Sequence, residues 1–226
     1  MIRSFSLSIR QLPDPAFRKV LIRALVLAII VFVGLAGVVW FVLAGTSLFR
    51  FWFLEMIVDV LGGVAAAVVT WLLFPAVASL FVSLFLEDIV DAVDIRHYPD
   101  DPRARAVALS TTIVVALRFT GITLALNIVV LPFYFLTFWF PPFALVIFYC
   151  LNGYLLSREY YELVALRHLD PADAAMIRKN NKRCLFLAGV VVTFFFTIPI
   201  VNLFAPVIGV AAMAHIFRSL RIGEAV

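Results

Sequence analysis

Uncharged apolar runs alternate with polar segments along the chain. The first two runs, residues 24–49 and 60–86, contain no Lys, Arg, Asp or Glu. Each is longer than the roughly 20 residues that cross a hydrocarbon core as a helix. We therefore predict two full transmembrane helices over these ranges. The polar segment 87–105 follows the second helix, and we expect it to lie in water.

Two later runs, residues 119–157 and 184–217, are also uncharged, but prolines interrupt them. Two complete crossings with a turn need more than about 40 residues, which neither run provides. The arm from Leu185 to Ile198 reaches only about 21 Å at 1.5 Å per residue. It therefore ends inside a core that is about 30 Å thick. Proline removes backbone hydrogen bonds. Backbone without these bonds is tolerated inside the membrane only where it is buried in protein or lines a water-filled cavity.

These two runs predict re-entrant, hemi-penetrating helical hairpins that enter and leave by the same membrane face. Their tips would lie in "LPFYFLTFWFPP", residues 131–142, and in "IPIVNLFAP", residues 198–206. The alternative is a pair of kinked, tilted full spans, which the longer first run accommodates more easily. The polar segment 158–183 joins the hairpins. We expect two short helices there, with Asp170 as an N-cap and Pro171 at the first helical position.

The composition agrees with this pattern. Hydrophobic residues make up 65% of the chain, charged residues 14%, and the mean hydropathy is +1.10, whereas roughly a quarter of the residues in soluble domains are charged. We predict an all-α integral membrane protein in which residues 1–226 form a single membrane domain. In this topology all 18 Lys and Arg except Arg50 lie on one side, with Arg118 at the boundary. The positive-inside rule makes that side cytoplasmic.

Catalytic constellations are missing from the sequence. It contains no His or Cys cluster, no carboxylate pair in a membrane run, no phosphate-binding glycine loop and no Ser–His–Asp set. We therefore expect no enzymatic activity, no metal, no cofactor and no nucleic-acid partner. An acidic face follows the second span. It is either a cation site or, by preference, a solvated helix surface, and it comprises Glu87, Asp88, Asp91 and Asp94.

The segment "PDPAFRKVLIR" has the features of an anion site. Asp14 suits an N-cap and Pro15 suits the first position, so free backbone N–H groups would point outward at the positive end of the helix dipole. Basic side chains add charge to that position. The alternatives are that these cations only anchor the first span and that the Asp14 carboxylate takes the same N–H groups. The predicted anion-binding residues are Ala16, Phe17, Arg18 and Lys19.

Ionisable or polar groups near the hairpins are further candidates for a transport pathway. Arg118, Arg158 and Glu159 stand at the hairpin mouths, and Asn202 stands in the second tip. Each candidate also has an alternative role. Arg118 could anchor its helix by snorkelling to the interface, and Arg158 and Glu159 could form a structural salt bridge. Asn202 could bond to backbone groups that the prolines leave without partners.

Four segments together carry a family resemblance. They are "PAFRKVLIRALVL", "LNGYLLSREYYELVALRHL", "MIRKNNKRCLFLAG" and "FTIPIVNLFAPVIGVAAMAHIF". In this order they resemble the CysZ sulfate permease family, which is related to the eukaryotic etoposide-induced membrane proteins. The resemblance covers essentially the whole chain. It implies a bacterial inner-membrane protein that takes up sulfate for cysteine biosynthesis, built of two transmembrane helices and two hemi-penetrating hairpins. It also implies assembly as a homo-oligomer, a hexamer in the family.

The resemblance also implies a sulfate site at the start of the first helix, where the family has a Gly-Leu-Arg type motif. The matching positions here are Ala16, Phe17 and Arg18, so the arginine is kept and the glycine is not. Glycine lets an anion approach the backbone closely, and a methyl group at Ala16 alters that approach.

We interpret the chain as a passive or gradient-driven sulfate channel or permease in a lipid bilayer. Sulfate would bind near Arg18 and pass between the hairpin tips, where backbone dipoles replace part of its hydration shell. A second hypothesis is a non-transporting membrane scaffold or adaptor that recruits a partner through residues 157–183. A membrane enzyme is the weakest of the three.

Overall fold

The computed structural model describes residues 1–44, 81–82, 84–101, 104, 109–137 and 140–223. Most of the predicted second span, and the end of the first, lie outside the described residues. Every regular element in the described ranges is helical. In chain order these elements are α1 (Ile2–Gln11), α2 (Pro15–Ala44), α3 (Leu86–His97), α4 (Leu109–Leu136), α5 (Pro141–Ala165), α6 (Pro171–Asn180), α7 (Lys182–Thr197), a 3₁₀ turn (Ile200–Leu203) and α8 (Ala205–Ile222).

Helix α8 lies at the centre of the described fold. Its residues from Ala205 to Arg218 are all buried, and it packs against α1, α3, α5 and α7. A helix that is buried on every side must be largely apolar, and its two buried polar side chains, His215 and Arg218, bond to Tyr98 and Asp94. Gly209 permits the closest approach, because a Cβ atom there would lie 2.7 Å from the Tyr160 ring and 2.9 Å from Val192. The helix ends at Gly223, whose φ of 77° is left-handed.

Helices α5 and α7 cross at two glycines. A Cβ atom on Gly189 would fall on the carbonyl oxygen of Gly153, and one on Gly153 would lie 2.6 Å from Val190. Both glycines are buried. Small residues of this kind let helix backbones approach closely. This crossing holds α5 against α7.

Helix α2 changes character along its length. Its first half buries a stripe with helical spacing that includes Phe17, Val20, Leu21 and Ala24, and it packs against α3. Beyond Ala28 the apolar side chains are mostly exposed. This outer part therefore presents an apolar surface.

Three described helices are long and apolar enough to cross a membrane: Pro15–Gly37 in α2, Ile113–Tyr134 in α4 and Ala205–Ile222 in α8. The window in α4 contains no buried residue, whereas most of the window in α8 is buried by other helices. A chain with several such segments is a membrane protein.

Both proline-interrupted runs turn. Helix α4 continues through Pro132 to Leu136, and Pro141 and Pro142 begin α5 after the turn. In the second run α7 ends at Thr197, and α8 begins at Ala205 after the 3₁₀ turn. The turns lie within the two segments named as hairpin tips. The re-entrant path through a membrane stays a prediction.

The polar segment 158–183 contains one separate helix and the end of another. Helix α5 continues to Ala165 because Tyr160, Tyr161 and Val164 are buried in the core. Helix α6 then begins at Pro171, with Asp170 in the extended conformation of an N-cap. Burial by neighbouring helices therefore extends α5 beyond the uncharged run.

The acidic face of α3 is solvated, as predicted, at Glu87, Asp88 and Asp91, whose side chains are 76%, 55% and 48% exposed, and it also forms ion pairs. Asp88 lies 3.7 Å from Arg23 of α2, and Asp91 lies 2.5 Å from Arg167 in the loop after α5. Asp94 contacts Arg218 of α8 at 2.9 Å. The face therefore connects α3 to three other parts of the chain.

Candidate functional site

The N-terminus of α2 is already capped by the protein's own carboxylate. Asp14 Oδ1 accepts a hydrogen bond from the Ala16 N–H at 3.3 Å, and the Asp14 carbonyl oxygen accepts from the Arg18 N–H at 3.0 Å. Arg96 of α3 donates to Asp14 Oδ2 at 2.6 Å. This guanidinium holds the pKa of Asp14 below its ordinary value. A negative charge therefore stands where an anion would bind.

The four predicted residues at this helix start have different surroundings. Phe17 is fully buried in the core, and Ala16 is half-buried. Arg18 and Lys19 are exposed. The structure thus gathers two cations on the surface beside a carboxylate that already accepts from the Ala16 N–H.

Three arginines from three helices line one small cavity of about 70 Å³, called here the arginine cavity. Arg118 comes from α4, Arg158 from α5 and Arg178 from α6. Tyr161, which also lines it, donates a hydrogen bond to the Ala174 carbonyl oxygen at 2.9 Å. This bond joins α5 to α6, so the position of Arg178 depends on core packing.

One carboxylate serves two of these arginines. Glu162 accepts from Arg158 Nε at 2.9 Å and lies 3.1 Å from Arg178. The side chain of Arg158 is only 4% exposed, so its charge requires a partner. Three guanidinium groups against one carboxylate leave the arginine cavity positive. Guanidinium groups bind oxyanions through paired N–H donors, so the cavity suits a small oxyanion.

A larger cavity of about 320 Å³ adjoins the first, between α5 and α7. It is called here the α5–α7 cavity. Arg158 and Arg178 line both cavities. The other residues of its wall are Tyr154, Ser157, Lys182, Arg183, Leu185 and Phe186. Four basic residues of the polar segment 158–183, namely Arg158, Arg178, Lys182 and Arg183, therefore line one cavity.

The structure does not bring every predicted pathway residue into this region. Glu159 lies on α5 but lines neither cavity, and burial raises the pKa of its carboxyl group. Asn202 lies in the 3₁₀ turn beyond the end of α7, and its backbone N–H donates to the Ile198 carbonyl oxygen at 2.9 Å. Arg118 and Arg158 are the predicted residues that meet.

Sequence reasoning missed Glu162 and Arg178. The pairing of Arg158 with Glu162 has a local signal, since residues four apart on a helix are neighbours. Arg178 has no such signal, because its approach depends on how α6 folds back onto α5. Among the described residues, no group of three or more His, Cys, Asp or Glu side chains could hold a metal ion.

Comparison with protein families matches residues 4–206 to the family described as sulfate transporter CysZ/etoposide-induced protein 2.4. The match begins in α1, includes every residue that lines the two cavities, and ends in the first turn of α8. A comparison with curated proteins gives no match. The sequence resemblance and the family match agree. The chain therefore belongs to the sulfate transporter CysZ/etoposide-induced protein 2.4 family.

Proposed function

We propose that this protein carries sulfate across the bacterial inner membrane into the cytoplasm, where it supplies cysteine biosynthesis. The family membership and the apolar helices support a transport role in a membrane. The observation that carries the proposal is the convergence of Arg118, Arg158 and Arg178 on one small cavity. Sulfate is a small dianion, and paired guanidinium donors match its oxygen atoms.

In this proposal the exposed Arg18 and Lys19, on the side that the positive-inside rule makes cytoplasmic, attract sulfate toward the cytoplasmic end of the pathway. Asp14 caps α2, so these side chains act by long-range attraction rather than as a backbone cradle. In the arginine cavity sulfate competes with Glu162 for Arg158 and Arg178 before it leaves toward the cytoplasm. This competition keeps binding weak enough for release, which conduction requires.

The ion would reach this cavity from the outer side along the hairpin tips, including Asn202, where backbone dipoles replace part of the hydration shell of the ion. The protein would work as a homo-oligomer, a hexamer by family resemblance, in contact with lipid. Flux is passive or gradient-driven in this proposal. It requires no cofactor, catalytic step or nucleic acid.

The test is uptake of radiolabelled sulfate by liposomes that contain the purified protein. Loss of one charged hydrogen-bonding group costs about 1.5–3 kcal/mol, so we expect Arg118→Gln to lower the apparent affinity for sulfate about tenfold or more. Arg18→Ala should lower the apparent affinity less, since salt screens the long-range attraction between Arg18 and sulfate. Arg221→Gln, an exposed change in the last turn of α8, is the matched control.

Two results would contradict the proposal. Uptake equal to that of protein-free liposomes, by protein shown to be folded, would favour the scaffold or adaptor hypothesis. If Arg118→Gln and Arg221→Gln lower uptake equally, the arginine cavity is not part of the pathway.

A further inference from the structure

The α5–α7 cavity lies at the boundary between apolar and charged sequence. Tyr154 and Ser157 belong to the end of the uncharged run 119–157, and Leu185 and Phe186 belong to the start of the run 184–217. The basic residues of the cavity come from the polar segment between the two runs. The lining of the cavity therefore combines apolar side chains with cationic ones.

The basic residues of the cavity carry more positive charge than the carboxylates paired with them balance. Arg158 and Arg178 share Glu162. In the described part of the chain, no carboxylate forms an ion pair with Lys182 or Arg183. These two residues begin α7, so the positive end of its dipole adds to their charge. The cavity consequently suits an anionic group.

An apolar strip leads away from this cationic end. Arg183, Leu187 and Phe194 have the spacing of one face of α7. Leu187 and Phe194 are each 51% exposed. An extended hydrocarbon chain could therefore lie along α7 while its charged end occupies the cavity.

We propose that the α5–α7 cavity binds the phosphate headgroup of an anionic phospholipid, with an acyl chain along the exposed face of α7. A free oxyanion would use the cations and leave the half-exposed apolar side chains of Leu187 and Phe194 uncovered. A phospholipid uses both the cations and the apolar side chains, and the cavity is much larger than the arginine cavity, about 320 against 70 Å³. Each basic residue near a membrane surface adds to the attraction for anionic lipid.

This inference is independent of sulfate transport, and the two are tested with different residues. Lys182 and Arg183 line only the α5–α7 cavity, whereas Arg118 lines only the arginine cavity. If the Lys182→Gln/Arg183→Gln variant loses lipid binding and Arg118→Gln retains it, lipid binding belongs to the α5–α7 cavity and not to the arginine cavity.

The experiment measures binding of spin-labelled phosphatidylglycerol and phosphatidylcholine to the full-length protein in phosphatidylcholine vesicles. We expect the wild-type protein to prefer phosphatidylglycerol. The Lys182→Gln/Arg183→Gln variant should lose about fivefold of that preference for each cation removed. The matched control is Lys179→Gln/Arg221→Gln, which removes the same charge from exposed positions outside the cavity.

Three outcomes would overturn the proposal. The first is equal affinity of the wild-type protein for the two lipids, and the second is an equal loss of the preference in both double variants, as unspecific surface attraction requires. The third is displacement of labelled phosphatidylglycerol by inorganic sulfate at millimolar concentration, with sulfate binding lost in Lys182→Gln/Arg183→Gln and kept in Arg118→Gln. That result would make a free oxyanion the occupant.

Discussion

Glu159 and Glu162 lie three residues apart on α5, yet their surroundings differ. Glu162 accepts from Arg158 and Arg178. Burial raises the pKa of Glu159. The folded state therefore favours its protonated form, so the stability linked to Glu159 is complete below the ordinary pKa of 4.5 and is lost as pH rises through the raised pKa.

We therefore expect Glu159→Gln to raise the unfolding temperature of the purified protein at pH 7.5, with a smaller gain at pH 5. Thermal unfolding of both proteins at the two pH values measures this. Glu162→Gln is the control on the same helix, and it should lower the unfolding temperature because it leaves the buried Arg158 with a weaker partner. A lower unfolding temperature for Glu159→Gln at pH 7.5 would contradict the expectation.

At the residue scale the sequence identified Arg118 and Arg158, because charged groups at the ends of uncharged runs are visible without a fold. It did not identify Phe17 as a core residue. An aromatic side chain beside Arg18 and Lys19 has no local mark of burial, and the packing of α2 on α3 decides its position.

At the scale of elements, the crossing of α5 and α7 depends on glycine. We expect Gly189→Ala to lower the unfolding temperature strongly, because the new Cβ atom would fall on the Gly153 carbonyl oxygen and separate the helices. Thermal unfolding, with size-exclusion chromatography to assess folding, measures this effect.

The control for this change is Gly121→Ala in α4, where a Cβ atom meets nothing within 4 Å. Alanine is favoured over glycine in a helix interior by about 1 kcal/mol, so Gly121→Ala should leave the unfolding temperature unchanged or raise it slightly. A similar loss in both variants would show that helix crossing is not the cause.

Element boundaries were predictable where the signal is local. The turn near Pro199 and the start of α6 at Pro171 follow from proline chemistry. The continuation of α5 to Ala165 was not predictable, because burial of Tyr160 and Tyr161 by distant parts of the chain extends that helix. The ion pairs of α3 have the same origin, since their partners lie far away in sequence.

At the scale of the whole molecule, the sequence indicated the all-helical membrane class, because composition and run length decide it. It did not indicate that α8 is enclosed by other helices. Its apolar residues match a membrane span by composition, and only the packing of α1, α3, α5 and α7 around it distinguishes the two environments.

The sidedness of the second hairpin is the remaining prediction at this scale. Helix α7 has 16 residues and reaches about 24 Å at 1.5 Å per residue, which is short of a core about 30 Å thick. We therefore expect the tip to end inside the membrane, before it reaches the outer surface. Ile200 in the tip is 82% exposed within the protein, so a cysteine there is free to react if it reaches water.

The experiment places single cysteines at Ile200 and at the exposed Asp173 of α6, with Cys150 and Cys184 replaced by serine. A membrane-impermeant maleimide is added to intact cells or to inside-out vesicles. Asp173→Cys should react only in inside-out vesicles, because α6 lies in the polar segment that the positive-inside rule places in the cytoplasm. Ile200→Cys should not react in intact cells, since a re-entrant tip does not reach the outer surface. Reaction of Ile200→Cys in intact cells, with none at Asp173→Cys, would mean that α7 and α8 both cross the membrane.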